Sequence, residues 1–391
     1  MKILFLSFYY YPDLSAGSFR ATSLISKLLE LGEEDLHIDL ITTAPNRYNT
    51  YSPELKKEDS HKRLTINRIR IPSHKSGIFD QAWSYMYFAL NAYKISRYKK
   101  YDLVFATSSR LMTAVLASFF KIKFKAILYL DIRDLFTDTL KDLFKKKILI
   151  LVVPFVKILE SWSFRKADKI NIVSQGFHSY ISKFTNEHNI SVYTNGIDSV
   201  FLNKDYIKYK SLNTSLPIIL YAGNIGEGQG LHNILPITAK YFEGKVEFHI
   251  FGDGGVRNKL EEQINLKDIT NIKIFNPISR DDLIIEYSKA DILFLHLNDF
   301  PAFKKVLPSK LFEYAATRKP IIAGVSGYSA EFIKKELPDV GLFNPCDHEN
   351  LFLLINNFLL KEKKVDRENF LIKYSRDDIM TRMANDILKT I

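Results

Sequence analysis

Four glycines, Gly223, Gly226, Gly228 and Gly230, follow directly on the apolar run Ile218–Ala222. Such a run reads as a buried parallel strand, and the residues after Gly230 read as a helix. A glycine-rich turn between the two lets backbone amides approach a phosphate closely and aims a helix N-terminus at it. The spacing is not GxGxxG, and no Gly-Lys-Ser/Thr follows, so neither the dinucleotide fingerprint nor the P-loop is present. A second glycine cluster, Gly252 to Gly255 around Asp253, follows the strand-like residues 246–251. Further on, Lys310 and Glu313 stand three apart in PSKLFEY, on one face of a helix starting near Ser309. A carboxylate there can accept two hydrogen bonds from a ribose diol. A lysine near the helix start can meet a pyrophosphate together with the amide dipoles. A plain surface ion pair between the two is the alternative. In the first half, Asp131, Arg133 and Asp134 lie close together after the apolar residues 126–130. They face either a ligand or each other, as a local Arg133–Asp134 salt bridge.

These groups need strand ends and helix starts to hold them. Strand-like stretches recur at 2–8, 38–44, 65–71, 103–107, 126–130 and 169–173. They recur again at 218–222, 246–251, 272–275, 291–297 and 320–323. Helix-length segments fill most gaps, among them 18–31, 281–289 and 309–317. Strands separated by helices imply an α/β fold of parallel sheets with right-handed crossovers, whose ligands sit beyond the carboxyl ends of the strands. Both glycine clusters occupy that position. A chain of 391 residues exceeds the roughly 250–300 residues at which one hydrophobic core stops growing, so two domains are expected. The boundary falls after Ile197, in the polar stretch 198–215. This gives an N-terminal domain 1–197, a second domain 198–376 and a C-terminal helix 377–391. Ile379, Met383 and Ile387 share one face of that helix, which could pack back on the first domain.

The single cysteine, Cys346, excludes an intrachain disulfide and fits a reducing compartment. The N-terminus lacks the small-residue cleavage site of a signal peptide and reads as a first strand. No stretch reaches the roughly 20 apolar residues of a membrane span. The formal charge of +11 invites an acidic partner: an anionic membrane, a sugar nucleotide or a nucleic acid. Nucleic acid has the least support, since no zinc-finger spacing, RNP-type motif or basic tail is present. The nine histidines show no metal-ligand spacing.

YAGNIGEGQGL, FGDGG and LPSKLFEYAATRKPII, in this order and spacing, resemble the retaining glycosyltransferases of family four. The resemblance runs over essentially the whole chain. It is nearest to the bacterial N-acetylfucosamine and N-acetylhexosamine transferases of surface-polysaccharide (O-antigen or capsule) assembly, which favour GNIGxxQGL and PSKLxEY. It implies the GT-B architecture, two Rossmann-like domains with parallel sheets facing across a cleft. The C-terminal domain would hold the nucleotide and the N-terminal domain the acceptor. Gly223, Asn224, Gly226, Gln229, Gly252, Asp253, Lys310 and Glu313 would then bind the donor. Glu313 matches the second glutamate of the family's paired-glutamate motif, and the first would fall on Lys305. Two slots that often carry a diphosphate-binding arginine and lysine hold Asn224 and Gln229, so Lys310 is expected to substitute in part. Gly17 and Arg20, in SAGSFR, sit where relatives have a glycine loop that admits donor and acceptor. An ordinary turn capped by Ser18 competes with that reading. Asp131 takes roughly the slot of a histidine near the sugar. Asp131, Arg133, Asp134 and Lys310 are therefore the candidate catalytic set.

The resemblance implies a reaction in which a sugar, an N-acetylated amino sugar by the nearest subgroup, leaves a nucleoside diphosphate such as UDP for a lipid-linked (polyprenyl diphosphate) glycan. The anomeric configuration is retained by front-face attack. No cofactor is expected, and no metal, since no DxD clamp follows a strand. The rivals are a UDP-sugar 2-epimerase of the same architecture and a catalytically silent scaffold. Residues 141–166 carry seven basic residues (Lys141, Lys145, Lys146, Lys147, Lys157, Arg165, Lys166) against Asp142 and Glu160, a balance of +5. Large apolar residues are interleaved. Such a stretch could rest on an anionic bilayer or be a core helix with a solvated basic edge. The aromatic-rich residues 79–100 add to the first reading. A protein of this kind is expected on the inner face of the cytoplasmic membrane, bound peripherally.

Overall fold

The computed structural model describes residues 1–46, 62–72, 78–108, 110–143, 149–202, 216–360 and 365–391. Lys145, Lys146 and Lys147 of the basic stretch lie outside the described residues, as do 203–215 of the polar stretch. The chain forms two units: Met1–Asn195 with Asp377–Ile391, and Gly196–Arg376.

The first unit contains strands β1 (Lys2–Ser7), β2 (His37–Thr43), β3 (Leu64–Ile69), β4 (Leu103–Ser108), β5 (Ile127–Ile132), β6 (Lys169–Ile172) and β7 (Ile190–Ser191). Its helices are α1 (Ala16–Leu31), α2 (Ile78–Ser96), α3 (Leu111–Phe124), α4 (Phe136–Leu143), α5 (Leu149–Lys166) and α6 (His178–Ile181). The seven strands pair in the order β3-β2-β1-β4-β5-β6-β7, all parallel. The central strands are covered on both faces, which is why they read as continuous apolar runs rather than alternating ones. Phe5, Phe105 and Tyr129 stack across β1, β4 and β5 at ring separations of 4.3 and 5.7 Å. Right-handed crossovers put α1 on one face and α2, α3 and α5 on the other. The packing agrees: Tyr85 and Phe88 of α2 lie on Phe8, and α3 packs on α5.

The second unit contains β8 (Ile218–Ala222), β9 (Glu247–Phe251), β10 (Ile272–Phe275), β11 (Ile292–His296), β12 (Ile321–Gly324) and β13 (Gly341–Phe343). Its helices are α7 (Leu231–Tyr241), α8 (Arg257–Leu266), α9 (Arg280–Lys289), α10 (Lys310–Ala316), α11 (Tyr328–Glu336), α12 (His348–Leu360) and α13 (Glu368–Lys373). The sheet order is β10-β9-β8-β11-β12-β13, again parallel. Its core divides into two layers, one under α9, α10 and α11 and one under α7, α8 and α12. Strand order reverses at β8/β11 here and at β1/β4 in the first unit. Those carboxyl ends are where such sheets bind ligands.

The last helix, α14 (Arg376–Thr390), lies against the first unit's sheet on the α1 side. Ile379, Met383 and Ile387 are buried there. Asp386 accepts from the Tyr129 hydroxyl at 2.8 Å and pairs with Lys169 at 3.1 Å.

Candidate functional site

At the carboxyl end of β8 the backbone turns through Gly223 with φ +141°, a conformation essentially confined to glycine. A Cβ on Gly223 would overlap Nζ and Cε of Lys310, and one on Gly252 would overlap the Gly223 carbonyl. The two glycine clusters therefore interlock by direct backbone approach. Gly223 N–H donates to the Phe251 carbonyl at 2.7 Å, and Ile225 N–H to that of Asp253 at 2.9 Å. Lys310 reaches over this junction from the first residue of α10. Its ammonium stands 3.4 Å from the Tyr221 hydroxyl and 4.9 Å from the centre of that ring. A cation thus stands against Gly223, where the two glycine clusters meet at the strand ends, a position suited to a phosphate.

Asn224 and Gln229 behave differently from their expected role. The Asn224 amide donates to the Gln229 side-chain carbonyl at 2.8 Å. They close the loop over Gly226, where a Cβ would collide with both. The Phe303 ring covers Gly228 in the same way. Below the loop, His296 Nδ1 is 2.7 Å from the Gln229 carbonyl oxygen, and its Nε2 accepts from the Cys346 amide at 3.0 Å. That pattern fixes the proton on Nδ1. Burial pushes the imidazole down to about 4, against the hydrogen bond to Gln229. Asn298 adds a second brace, donating to the Glu227 carbonyl at 3.1 Å. Neither brace was singled out from the sequence, where a histidine at a strand end carries no sign of its partners.

Glu313 lies one turn along α10 from Lys310 and is half-buried. The two do not form the surface ion pair, since among the described residues Glu313 has no hydrogen-bond or ion-pair partner. Arg280, at the start of α9, was missed. It pairs with Asp198, lies 4.7 Å from the Phe201 ring centre, and senses the Glu313 charge. Its burial, partly offset by Glu313, draws the guanidinium down to about 10. The available signal was a basic residue in the first helical position after a β-strand and its loop.

The first unit corrects two expectations. Arg20 and Asp131 form one buried bidentate pair, with Nε–Oδ2 at 2.9 Å and Nη2–Oδ1 at 3.1 Å. Arg20 also donates to the Thr194 and Tyr193 carbonyls, both at 2.8 Å, and Asp131 accepts from Asn171 at 2.7 Å. Burial alone would raise the Asp131 carboxyl; the Arg20 charge and hydrogen bonds overcome that and hold it below the usual carboxylate range. Neither group is left to meet a donor or a sugar, because each satisfies the other inside the fold. Gly17 is buried in the first turn of α1, and the helix is capped by Ser15, not Ser18. The Ser15 side chain accepts from the Ser18 amide at 3.1 Å. Arg133 is half-buried and Asp134 exposed, at the carboxyl end of β5. Arg110, also unforeseen, stands at the β1/β4 reversal, 4.1 Å from the Phe8 ring centre and 3.2 Å from the Tyr9 hydroxyl. Among the described residues no group of three or more His, Cys, Asp or Glu is placed to hold a metal ion.

Both glycine loops, Lys310 and Glu313 fall within one matched stretch. Residues 203–378 match the family Glycosyl transferases group 1. A 174-residue segment is 28% identical to "Putative colanic acid biosynthesis glycosyl transferase WcaI" of Escherichia coli (strain K12); it covers 44% of this chain and 42% of that protein. The match thus spans under half the length of the curated relative. The fold matches sucrose-phosphate synthase from Thermosynechococcus elongatus with a TM-score of 0.77 at 15% identity, over 100% of this chain and 98% of that one. It matches Anabaena HepE, solved with UDP-glucose, with a TM-score of 0.70 at 14% identity over 100% of both. The α/β fold with two parallel sheets is that of GT-B glycosyltransferases.

Proposed function

We propose that this chain is a group 1 glycosyltransferase that takes a sugar, an N-acetylated amino sugar, from a UDP-sugar and delivers it, with retention, to a lipid-linked glycan in surface-polysaccharide assembly. The observation that carries the reading is the Lys310 ammonium standing over the interlocked glycine loops, one helical turn from a carboxylate that has no hydrogen-bond or ion-pair partner among the described residues. The Glu313 carboxylate accepts both hydroxyls of the donor ribose. The loop amides and Lys310 stabilise the charge that develops on the departing diphosphate, where electrostatic preorganisation matters most. Arg280 adds a second cation to the field around Glu313 and supplements Lys310. With no nucleophile required of the protein, the departing phosphate takes the acceptor proton, and the protein positions the two substrates. HepE was solved with UDP-glucose, and WcaI is named for colanic acid biosynthesis; both support this class of donor and product. The reaction takes place at the inner face of the cytoplasmic membrane, where a polyprenyl-linked acceptor resides, and needs no metal.

Calorimetry with UDP tests the site. Glu313→Gln is expected to weaken binding by about 1.5–3 kcal/mol, the scale of a hydrogen bond to a charged group, and Lys310→Ala to weaken it as well. Unchanged affinity in both variants overturns the assignment. A screen of UDP-sugars with membrane extract, read by UDP release and product NMR, tests the reaction. Conversion of the sugar nucleotide without acceptor would make the chain an epimerase, and failure to bind any nucleotide would make it a silent scaffold.

A further inference from the structure

The first unit leaves three helices with apolar side chains in solvent. On α2, Trp83 is 66% and Leu90 54% exposed, with Met86 and Tyr87 exposed between them. Their spacing puts all four on one stripe. On α5, Phe155 is 61% and Ile158 66% exposed, and on α3, Phe119 and Ile122 are exposed. The three stripes adjoin. Tyr93 of α2 and Phe119 of α3 lie 6.2 Å apart between ring centres, and α3 packs on α5. All three helices cover the same side of the sheet, so these side chains share its outer face. Scattered surface apolar residues need no explanation, but a clustered face of this size marks an interaction site.

The charges around it are predominantly basic, with Asp80 exposed in the first turn of α2. The α2 stripe continues into exposed Lys94 and Arg97, and Lys123 holds its ammonium 4.8 Å from the Tyr93 ring centre, at the α2–α3 seam. Lys157, Arg165 and Lys166 are exposed on α5. The acidic residues in the described parts of these helices whose side chains are placed are Asp80 and Glu160. Glu160 is fully buried, accepting from the Tyr180 hydroxyl at 2.7 Å and the Thr137 amide at 3.3 Å. An apolar centre with Trp and Tyr and a rim of long cationic side chains fits the boundary between lipid headgroups and acyl chains. A second copy docking by the same face would bring like charges together. Among the described residues no helix is long and apolar enough to cross a membrane, so contact would be with the surface.

We propose that the outer face of α2, α3 and α5 docks on an anionic lipid bilayer, with Trp83, Leu90, Phe155 and Ile158 entering the interface and Lys94, Lys123 and Lys157 meeting lipid phosphates. This deepens the reading of a lipid-linked acceptor and rests on it for its purpose. It keeps Phe155, Lys157 and Ile158 of the basic stretch 141–166 and extends the expected contact to the exposed stripes of α2 and α3.

Full-length protein mixed with phosphatidylglycerol or phosphatidylcholine vesicles tests the proposal by co-sedimentation. The protein should bind the anionic vesicles at low salt and release at high salt. Trp83→Ser with Phe155→Ser should abolish binding. The triple change Lys94→Ala, Lys123→Ala, Lys157→Ala should weaken it on the order of a hundredfold, each surface cation contributing roughly fivefold. Circular dichroism and melting confirm that the variants fold. Trp83 and Trp162 are the two tryptophans; emission should shift to the blue on anionic vesicles, and Trp83→Phe should remove the shift while keeping binding. No sedimentation at low salt, equal binding to phosphatidylcholine, or a dimer that the Trp83 and Phe155 changes dissociate would each overturn the proposal. A chain that binds UDP but no vesicle keeps the transferase reading and loses this one; a chain that binds vesicles but no UDP does the reverse.

Discussion

Lowering the pH should loosen the first glycine loop through His296. In the folded second unit this imidazole is neutral, donating from Nδ1 to Gln229 and accepting at Nε2 from the Cys346 amide. A proton on Nε2 would oppose that amide and leave a charge in a site with no exposed surface. Burial has moved the group from its ordinary 6.5 down to about 4. The unfolded chain therefore holds the extra proton between those values and the folded chain does not. The stability His296 contributes is complete above 6.5 and is lost progressively as the pH falls towards 4. At about 1.4 kcal/mol per unit the full loss is about 3 kcal/mol, of which about 2 kcal/mol falls between pH 7.5 and pH 5. His296→Asn supplies a control, because an amide can still donate towards Gln229 but cannot take up charge. It leaves the Cys346 amide without its acceptor and costs about 1–3 kcal/mol at every pH. His232 and His348 are also held below the ordinary histidine value by burial, so both proteins keep some pH dependence. Their difference isolates His296. The assay is urea unfolding at pH 7.5 and pH 5, with hydrogen exchange in peptides spanning residues 223–230. The wild type should lose about 2 kcal/mol more than the variant, and its loop peptides should exchange faster at pH 5 after correction for intrinsic rates. Parallel pH profiles in the two proteins would refute the reasoning.

Gly223→Ala should impose backbone strain of about 1–3 kcal/mol and displace Lys310, lowering both the melting temperature and UDP affinity by calorimetry. Gly244→Ala is its counterpart: φ is +73° with open space around the site, so it should lower the melting temperature and leave UDP affinity alone. Asp131→Asn or Arg20→Met should destabilise the first unit by about 3–5 kcal/mol, the cost of stranding one partner of a buried ion pair. A near-neutral result in urea unfolding would reopen a ligand-binding role for them. Sugar transfer should persist in EDTA, and loss of activity restored by manganese would refute metal independence.

Several elements were legible in one dimension because their physics is local. Ile218–Ala222 forms a strand with the bounds its apolar run suggests, since a strand covered on both faces must be apolar throughout, whereas Ile272–Phe275, at the sheet edge, keeps the same expected bounds with Lys273 and Phe275 exposed. Gly223 and Gly252 announce a turn in which backbones come close. Lys310 and Glu313 share a helix face by spacing alone. Short strands escaped: β7 and β13 have two and three residues, too few for a period to register. The Ser15 cap was misplaced by three residues because Ser15 and Ser18 are chemically equivalent as caps, and the choice depends on where α1 meets the sheet. Residue type could not separate Arg20 and Asp131, 111 positions apart, from ligand-binding groups; the packing of α1 on the sheet brings Arg20 to Asp131 of β5 and makes them each other's partner. Asn224 and Gln229 likewise close on one another only once the loop is folded. The sequence by itself determined the alternation of strands and helices, the glycine junctions and the helix carrying Lys310 and Glu313, all consequences of neighbours along the chain. Which charges are satisfied internally, which histidine braces the loop and which apolar stripes remain in solvent were decided by the tertiary structure, because burial and pairing belong to residues brought together from distant parts of the chain.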